Sequence, residues 1–317
     1  MSNLDEPDGL YKHDGLTAMH TPVLLKEVLD LLDPHSGDFM IDGTMDGGGH
    51  AAAIMEKVAP NGTFLGIDLD KRLIEKVKEK DPSRAQDDRI ETHFICGNYA
   101  DLPEILKKEN LGKADGLLLD LGFSSEQTEG SGRGFSFKAE HAEEPLLMTY
   151  DDSRIPVSEI LRGVTEEKLA DIIFEFGGER MSRRIAKAIK ERNRRGGVKT
   201  AGELADTVHA ALPKGYERGR IDPATRTFQA LRIYANGELE NLVSVFKNIG
   251  TVVNPGGRVA IISFHSLEDR IVKQAFQNMA KTGEAKLLVK KPITASASEI
   301  RENPRSRSAK LRAIKIT

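Results

Sequence analysis

The sequence predicts an α/β protein: a doubly wound, Rossmann-like sheet of seven strands with an all-helical segment inserted. Three observations point there. Strand-like and helix-like runs alternate in two blocks, before about Gly122 and after about Thr225. The stretch between them, from about Arg133 to Gly219, has helical patterns and no convincing strand. A glycine loop, Asp42-Gly43-Thr44-Met45-Asp46-Gly47-Gly48-Gly49-His50, joins the first strand to its helix. Alternation of this kind implies right-handed β-α-β crossovers, with helices on both faces of a parallel sheet.

Thr21-Pro22 ahead of Val23 to Leu29 reads as an N-cap and a first-turn proline opening an amphipathic helix, which Pro34 and Gly37 close. Strand Phe39-Ile41 leads to a helix near His50-Val58, and strand Thr63-Ile67 to one near Lys71-Lys80. Strand Glu91-Ile95 leads to Leu102-Lys108, and strand Gly116-Leu119 ends in Asp120. Helical patterns then fall on Glu166-Phe176, Ser182-Arg192 and Ala201-Leu212. Thr225-Val253 reads as one long helix, followed by strand Arg258-Ser263 and helix Leu267-Lys281. Two late runs, Lys286-Val289 and Leu311-Ile316, are suited to an antiparallel pair at the sheet edge. The domain boundaries expected from this are a core of residues 1–132 and 221–317 and an insertion of residues 133–220.

Composition narrows the class. A single cysteine, Cys96, excludes a disulfide framework and a zinc cluster built on several thiolates, and fits a reducing compartment. No segment is long and apolar enough to span a bilayer, and residues 1–13 are polar and acidic rather than signal-like, so a cytoplasmic protein without a membrane partner is expected. The net charge of −3 hides a segregated distribution: Glu179 to Arg195 holds eight Lys/Arg against two acids, and Lys286 to Lys315 is also basic. Such faces suit phosphate binding, although Arg183, Arg184, Lys187, Lys190 and Arg194 at helical spacing also suit a solvated helix face.

The chemistry-bearing residues end the strands, where open α/β sheets bind ligands. The loop brings bare backbone amides to a ligand because glycine has no Cβ. Gly47, Gly49 and Ala52 satisfy a lax dinucleotide pattern, but Asp42 would sit badly against a pyrophosphate, and no nearby Lys or Arg compensates it. A cationic ligand with an amino group or sulfonium, such as S-adenosylmethionine, would welcome that acid. Asp68 would meet a ribose diol, and Tyr99 could wall an adenine. Asp42 and Asp68 equally suit local caps, Tyr99 suits ordinary core, and His50 could either donate to a ligand or cap its helix. The fourth strand's tip, Asp120-Leu121-Gly122-Phe123-Ser124-Ser125, is where a reacting group would be presented, with Asp120, Ser124 and Ser125 as catalytic candidates. It lacks the nucleophile elbow of a hydrolase. No His/Cys/carboxylate cluster has metal-ligand spacing, so no metal is expected.

Several long blocks carry a resemblance. His20 to Leu24, Asp42 to His50, Leu119 to Gln127, Arg133 to Phe137, Pro223 to Ile233, Ile262 to Arg270 and Glu302 to Ser308 are similar, in unbroken order, to the bacterial 16S ribosomal RNA N4-cytosine methyltransferase family, RsmH or MraW. The resemblance implies a class I methyltransferase sheet, S-adenosylmethionine as cofactor, and methylation of the exocyclic amine of a cytidine in the decoding region of 16S rRNA, within the small subunit or its precursor. It carries cofactor contacts onto Gly48, Gly49, His50, Asp68, Tyr99, Asp120 and Gln127, moving Asp120 from the substrate side towards the cofactor. It also gives weight to RNA contacts at Arg183, Arg184, Lys187, Arg192, Arg305 and Arg307, and to Phe123 or Phe135 stacking on the base. Asp46 stands where the family usually has a small residue or glycine. Leu147 and Thr149 replace an acid and a base, and Asp222 replaces a histidine. A small-molecule or protein methyltransferase and a non-catalytic ribosome-assembly binder are the other classes weighed. Whether the chain forms a homodimer is left open.

Overall fold

The computed structural model describes residues 22–79, 90–122, 131–216 and 222–317. The first half of the sheet is wound by α1 (Leu25–Leu32), β1 (Phe39–Asp42), α2 (Gly49–Val58), β2 (Gly62–Asp68), α3 (Lys71–Glu79), β3 (Ile90–Cys96), α4 (Leu102–Lys108) and β4 (Ala114–Asp120). Four helices follow: α5 (Val157–Gly163), α6 (Glu166–Gly177), α7 (Ser182–Arg194) and α8 (Ala201–Ala211). The chain then returns through α9 (Ala224–Asn236), α10 (Glu238–Val252), β5 (Val253–Ser263), α11 (Ser266–Thr282), β6 (Ala285–Leu287), α12 (Ala297–Glu302) and β7 (Lys310–Ile316).

The seven strands lie in the order β3-β2-β1-β4-β5-β7-β6. The first five are parallel, β7 runs antiparallel to β5, and β6 antiparallel to β7. Winding proceeds outward from β1 to β3 and then restarts at β4 on the other flank of β1. The crevice at this reversal is where such sheets take ligands, beyond the strands' carboxyl ends.

Because side chains alternate across a strand, the continuous apolar runs of the central strands feed two cores. Ile41, Leu65, Leu117, Leu119 and Ile261 face α4, α10 and α11. Met40, Phe64, Leu118, Ala260 and Ile262 face α1, α2 and α3. A third core lies within the helical layer, from Phe135 to Ala235, and includes Ala224, Phe228 and Leu231 of α9. The helical layer thus extends past the expected boundary at residue 220, because the apolar stripe of α9 packs against α6 rather than on the sheet.

Three elements differ from expectation. The single long helix over Thr225-Val253 is two, broken at Gly237, whose φ of 61° ends α9 in the left-handed conformation that glycine adopts freely. The first helix starts at Leu25, not at Pro22. Leu24 precedes it with φ 55°, and its N–H donates to Glu299 Oε1 at 2.7 Å, tying this entry to α12. Thr21 lies outside the described residues. Strand β5 begins five residues earlier than the apolar run at Arg258 suggested, since Val253 pairs with Ala114 before an irregularity in the register.

Phe276 of α11 is 1% exposed and meets Phe246 of α10 edge to face, with centroids 5.7 Å apart. Phe276→Ala is expected to destabilise the fold by about 3–5 kcal/mol through lost burial and a residual cavity, measured by the shift of the urea midpoint at constant slope.

Candidate active site

Three neighbouring strands end in aspartate, and the three carboxylates are used to different degrees by the backbone around them. Asp42, ending β1, accepts the Thr44 N–H through Oδ1 at 3.1 Å, while its buried Oδ2 has no hydrogen-bond partner. Asp68, ending β2, accepts Asp70 N–H at 2.8 Å and Asp46 N–H at 3.1 Å. Asp120, ending β4, donates its backbone N–H to Thr44 Oγ1 at 2.6 Å, and its buried Oδ1 is without a partner. Thr44 therefore fastens the glycine loop to both β1 and β4. The local-cap reading accounts for these bonds: Asp42 takes the Thr44 N–H on one oxygen, and Asp68 takes a backbone N–H on each of its two.

The electrostatics follow from burial and crowding. Burial pushes Asp42 up to about 8, opposed by the Thr44 N–H and reinforced by Asp68. Asp68 rises to about 6, burial outweighing its backbone hydrogen bonds. Burial, then Asp42 and Glu268, hold Asp120 well above the usual carboxylate range. Burial, then Asp120, Asp68 and Asp42, do the same to Asp46, against a lowering pull from Arg305. Asp46 thus turns into the site, from a left-handed backbone with φ 44° that explains why glycine suits its position.

The loop turns at Gly48, φ 78°, which caps α2; Gly47 and Gly49 face the cavity. His50, in the first turn of α2 and 6% exposed, donates from Nε2 to the Val23 carbonyl at 3.0 Å. That bond fixes its tautomer and leaves Nδ1 3.6 Å from Asp120 Oδ2. His50 is thus anchored to the backbone at Val23 and lies beside Asp120. Tyr99 sits in a short 3-10 turn after β3, half-buried, with its Cβ against Gly43.

Two adjoining cavities open above these strand ends. The smaller is bordered by Asp68, Tyr99, Asp46, Glu238 and Glu268. The larger, of about 350 Å³, lies between the sheet and the helical layer. Asp120, His50 and Asp46 form its floor, and Phe135, Phe137, Phe228 and Phe264 its apolar walls. Phe135 stacks on Tyr150 at 5.5 Å and Phe137 tilts against Phe228 at 4.7 Å. Asp46 and Glu268 border both cavities.

Sequence reasoning missed one group altogether. Ligand-type atoms of Glu238, His265 and Glu268 lie within 4.8 Å of one another, although the residues come from two helix starts far apart in sequence. Glu238 is held by Arg232, at 2.9 and 3.0 Å, and by the Tyr150 hydroxyl at 2.9 Å. The available signal was positional: β5 neighbours β4, so the residues after its end face the same crevice.

The basic residues are distributed unevenly. Arg183, Arg184 and Lys187 are exposed on α7, whereas Arg192 is ion-paired with Glu203 at 3.3 Å. Lys190 donates to the carbonyls of Leu161 and Arg162, tying α7 to α5. Arg307 is exposed, but Arg305 borders the large cavity. Thr149 is buried and accepts from Arg133 through its carbonyl and hydroxyl, beside half-buried Leu147. Asp222 accepts the Ala224 N–H at the start of α9 and is 2.8 Å from His209 Nε2. Phe123, Ser124, Ser125 and Gln127 lie outside the described residues.

A seven-stranded sheet of this order, with acids at the reversal and helices on both faces, is a Rossmann-like fold. Residues 17–317 match the sequence profile of the MraW methylase family, and the chain belongs to that family. It is 44% identical over 297 residues to ribosomal RNA small subunit methyltransferase H of Coprothermobacter proteolyticus, spanning 93% of this chain and 95% of that one. Its counterpart of the same name in Thermotoga neapolitana is 44% identical over 304 residues, 95% and 97% of the two chains. Among solved structures, a SAM-dependent methyltransferase from Aquifex aeolicus superposes with a TM-score of 0.39 at 8% identity, covering 93% of this chain and 90% of that one.

The buried acids make stability pH-dependent. Asp42 is raised when folded, so the folded state binds the extra proton between the unfolded value of 3.8 and about 8. Its destabilising contribution is absent below pH 4 and complete above pH 8. Asp42→Asn, which removes it, is expected to raise unfolding free energy at pH 9 by on the order of a few kcal/mol, with little change at pH 4. Urea titrations at the two pH values measure the difference.

Proposed function

We propose that this chain methylates the exocyclic N4 amine of a cytidine in the decoding region of 16S rRNA, using S-adenosylmethionine. The carrying observation is the surplus of buried carboxylate at the strand ends beside an aromatic-walled cavity. Asp42, Asp46, Asp68 and Asp120 are all raised by burial and by neighbouring carboxylates, and Oδ2 of Asp42 and Oδ1 of Asp120 are buried without a hydrogen-bond partner. A cofactor carrying a sulfonium and an ammonium fits that donor set; a pyrophosphate does not. The relatives' name, ribosomal RNA small subunit methyltransferase H, supports the same class of substrate.

The bound cofactor supplies an electrophilic methyl group. Asp68 accepts from its ribose, Tyr99 walls its adenine, and Gly48, Gly49, His50 and Gln127 complete its contacts. Cytosine's amine is a weak nucleophile because its lone pair is delocalised into the ring. The protein's part is to hold that nitrogen in line with the methyl carbon, and orientation of this kind lowers barriers by several kcal/mol. Asp120, with Ser124 and Ser125 of the following loop, accepts from the amine, and Phe135 with its neighbours stacks on the base. No strong base is needed before transfer, since the amine proton becomes acidic only as the new bond forms.

Reaching the cavity requires the base to leave its stack, at a cost of a few kcal/mol. Phosphate contacts to Arg183, Arg184 and Lys187 on α7, to Arg192, and to Arg305 and Arg307 near the cavity mouth offset that cost. The helical layer is the RNA-facing wall. No helix among the described residues is long and apolar enough to cross a membrane, and the proposed place of action is the cytoplasm, on the small subunit or its precursor.

The deciding experiment is mass mapping of modified cytidines in small-subunit rRNA with and without this protein. A decoding-region N4-methylcytidine is expected only with the wild-type chain and not with Asp120→Asn. Label appearing in protein or metabolite fractions instead would overturn the reading. Replacing Arg183, Arg184 and Lys187 together with alanine is expected to weaken RNA binding and to lower the slope of log K against log salt by about 2–3. An unchanged slope returns these residues to a solvated helix face.

A further inference from the structure

The structure leaves one buried donor beside the reaction centre without an assigned role. His265 and Glu268 form the capping box of α11: His265 Nδ1 accepts the Glu268 N–H at 3.4 Å, and Glu268 Oε2 accepts the N–H groups of Phe264 at 2.9 Å and His265 at 3.2 Å. Capping uses one ring nitrogen and one carboxylate oxygen. What remains is His265 Nε2 and Glu268 Oε1, 3.1 Å apart. Nε2 is buried and has no hydrogen-bond partner, and the two side chains are 10% and 5% exposed. Since Nδ1 accepts, the neutral ring carries its proton on Nε2. A donor and an acceptor therefore stand side by side on the wall of the large cavity.

The surroundings hold this pair in place. Glu238, from the start of α10, is occupied by Arg232 and Tyr150. Asp120, from β4, is near enough for Glu268 to raise its carboxyl, and Arg305 borders the cavity from the segment before β7. Cytosine presents a matching edge, with an acceptor at ring nitrogen N3 beside the N–H donors of its amine. Uracil presents the reverse order.

We propose that His265 and Glu268 recognise this edge, His265 Nε2–H donating to N3 and Glu268 Oε1 accepting one amine N–H and then its proton, while Asp120 accepts the other N–H. The assignment rests on the cytidine reading above. The amine lone pair forms the new N–C bond as the methyl carbon leaves sulfur, the S–C electron pair stays on sulfur, and the displaced amine proton passes to Glu268. One cationic and one anionic group become two neutral ones. His265 must be neutral, because an imidazolium on N3 would draw electron density from the amine.

Two substitutions keep the helix cap while removing the proposed function. Glu268→Gln still accepts the cap N–H groups, and His265→Ser restores the commonest capping box. Single-turnover methyl transfer from labelled S-adenosylmethionine to small-subunit rRNA is measured beside cofactor affinity. Binding of free cytidine and uridine with S-adenosylhomocysteine present gives a readout independent of turnover. Glu268→Gln is expected to slow single turnover about 100-fold or more, with cofactor affinity unchanged. Glu268→Asp, which keeps the charge, is expected to recover about tenfold of the rate. His265→Ser is expected to weaken cytidine binding about fivefold and leave uridine binding unchanged. A wild-type rate in Glu268→Gln, or wild-type cytidine affinity in His265→Ser, overturns this assignment while leaving the enzyme's reaction in place. Failure of the wild-type chain to methylate rRNA cytidine overturns both.

Discussion

Everything at the functional end of this molecule depends on holding like charges together out of water. Asp42, Asp68 and Asp120 close adjacent strands, and the parallel register sets their spacing: Asp42 pairs with Gly66 on one side and with Leu118 on the other, each two residues short of its own strand's acid. Mutual repulsion and lost hydration both favour the neutral carboxyl. The fold withstands this by tying Asp42 and Asp68 to backbone N–H groups, with Thr44 linking Asp42 to the Asp120 backbone. One oxygen each of Asp42 and Asp120 stays buried and unpartnered, and the proposed cationic cofactor rests on that surplus.

The helical layer supplies what the sheet lacks. Its aromatic residues roof the large cavity, and the break at Gly237 lets α10 begin against Arg232 and Tyr150 instead of continuing the direction of α9. Asn236 secures the turn, donating to the carbonyls of Met148 and Arg232 and accepting from Tyr150 N–H. The buried Arg232–Glu238 pair is bidentate, so each charge has its partner at close range. That leaves Glu268, not Glu238, as the carboxylate with an oxygen available to the cavity. Specialisation between these two acids comes from what has already claimed each one, a cation for Glu238 and a helix cap for Glu268.

The parallel sheet, the acids at its strand ends and the glycine loop were legible because they are local signals: apolar runs, a turn and a residue at a fixed place after each run. The Glu238, His265 and Glu268 cluster was not, because two helix starts brought together by strand order leave no spacing to read. Arg305 illustrates the same limit. It belongs to a basic segment by composition, yet the 3-10 turn Pro304–Ser308 directs it towards Asp46 and the cavity, while Arg307 of that turn is exposed. The unbroken helix expected over Thr225-Val253 failed for a related reason. Its apolar periodicity continues on either side of Asn236-Gly237, and only the packing of each half on a different layer shows that it must bend.

Asp46 shows how the charge constraint also makes an unusual residue tolerable. Glycine would hold the left-handed turn at no steric cost, and an aspartate there brings a carboxyl into a site that is already acidic. Ionised, it would repel the carboxylate of any amino-acid-bearing ligand. The neighbouring Asp120, Asp68 and Asp42, together with burial, instead favour its protonated form, which can donate a hydrogen bond to such a ligand. Arg305 opposes that shift but is outweighed by burial and the three acids. A cationic cofactor bound as proposed would lower the carboxyls it contacts, and the charge of Asp46 would then depend on occupancy of the site.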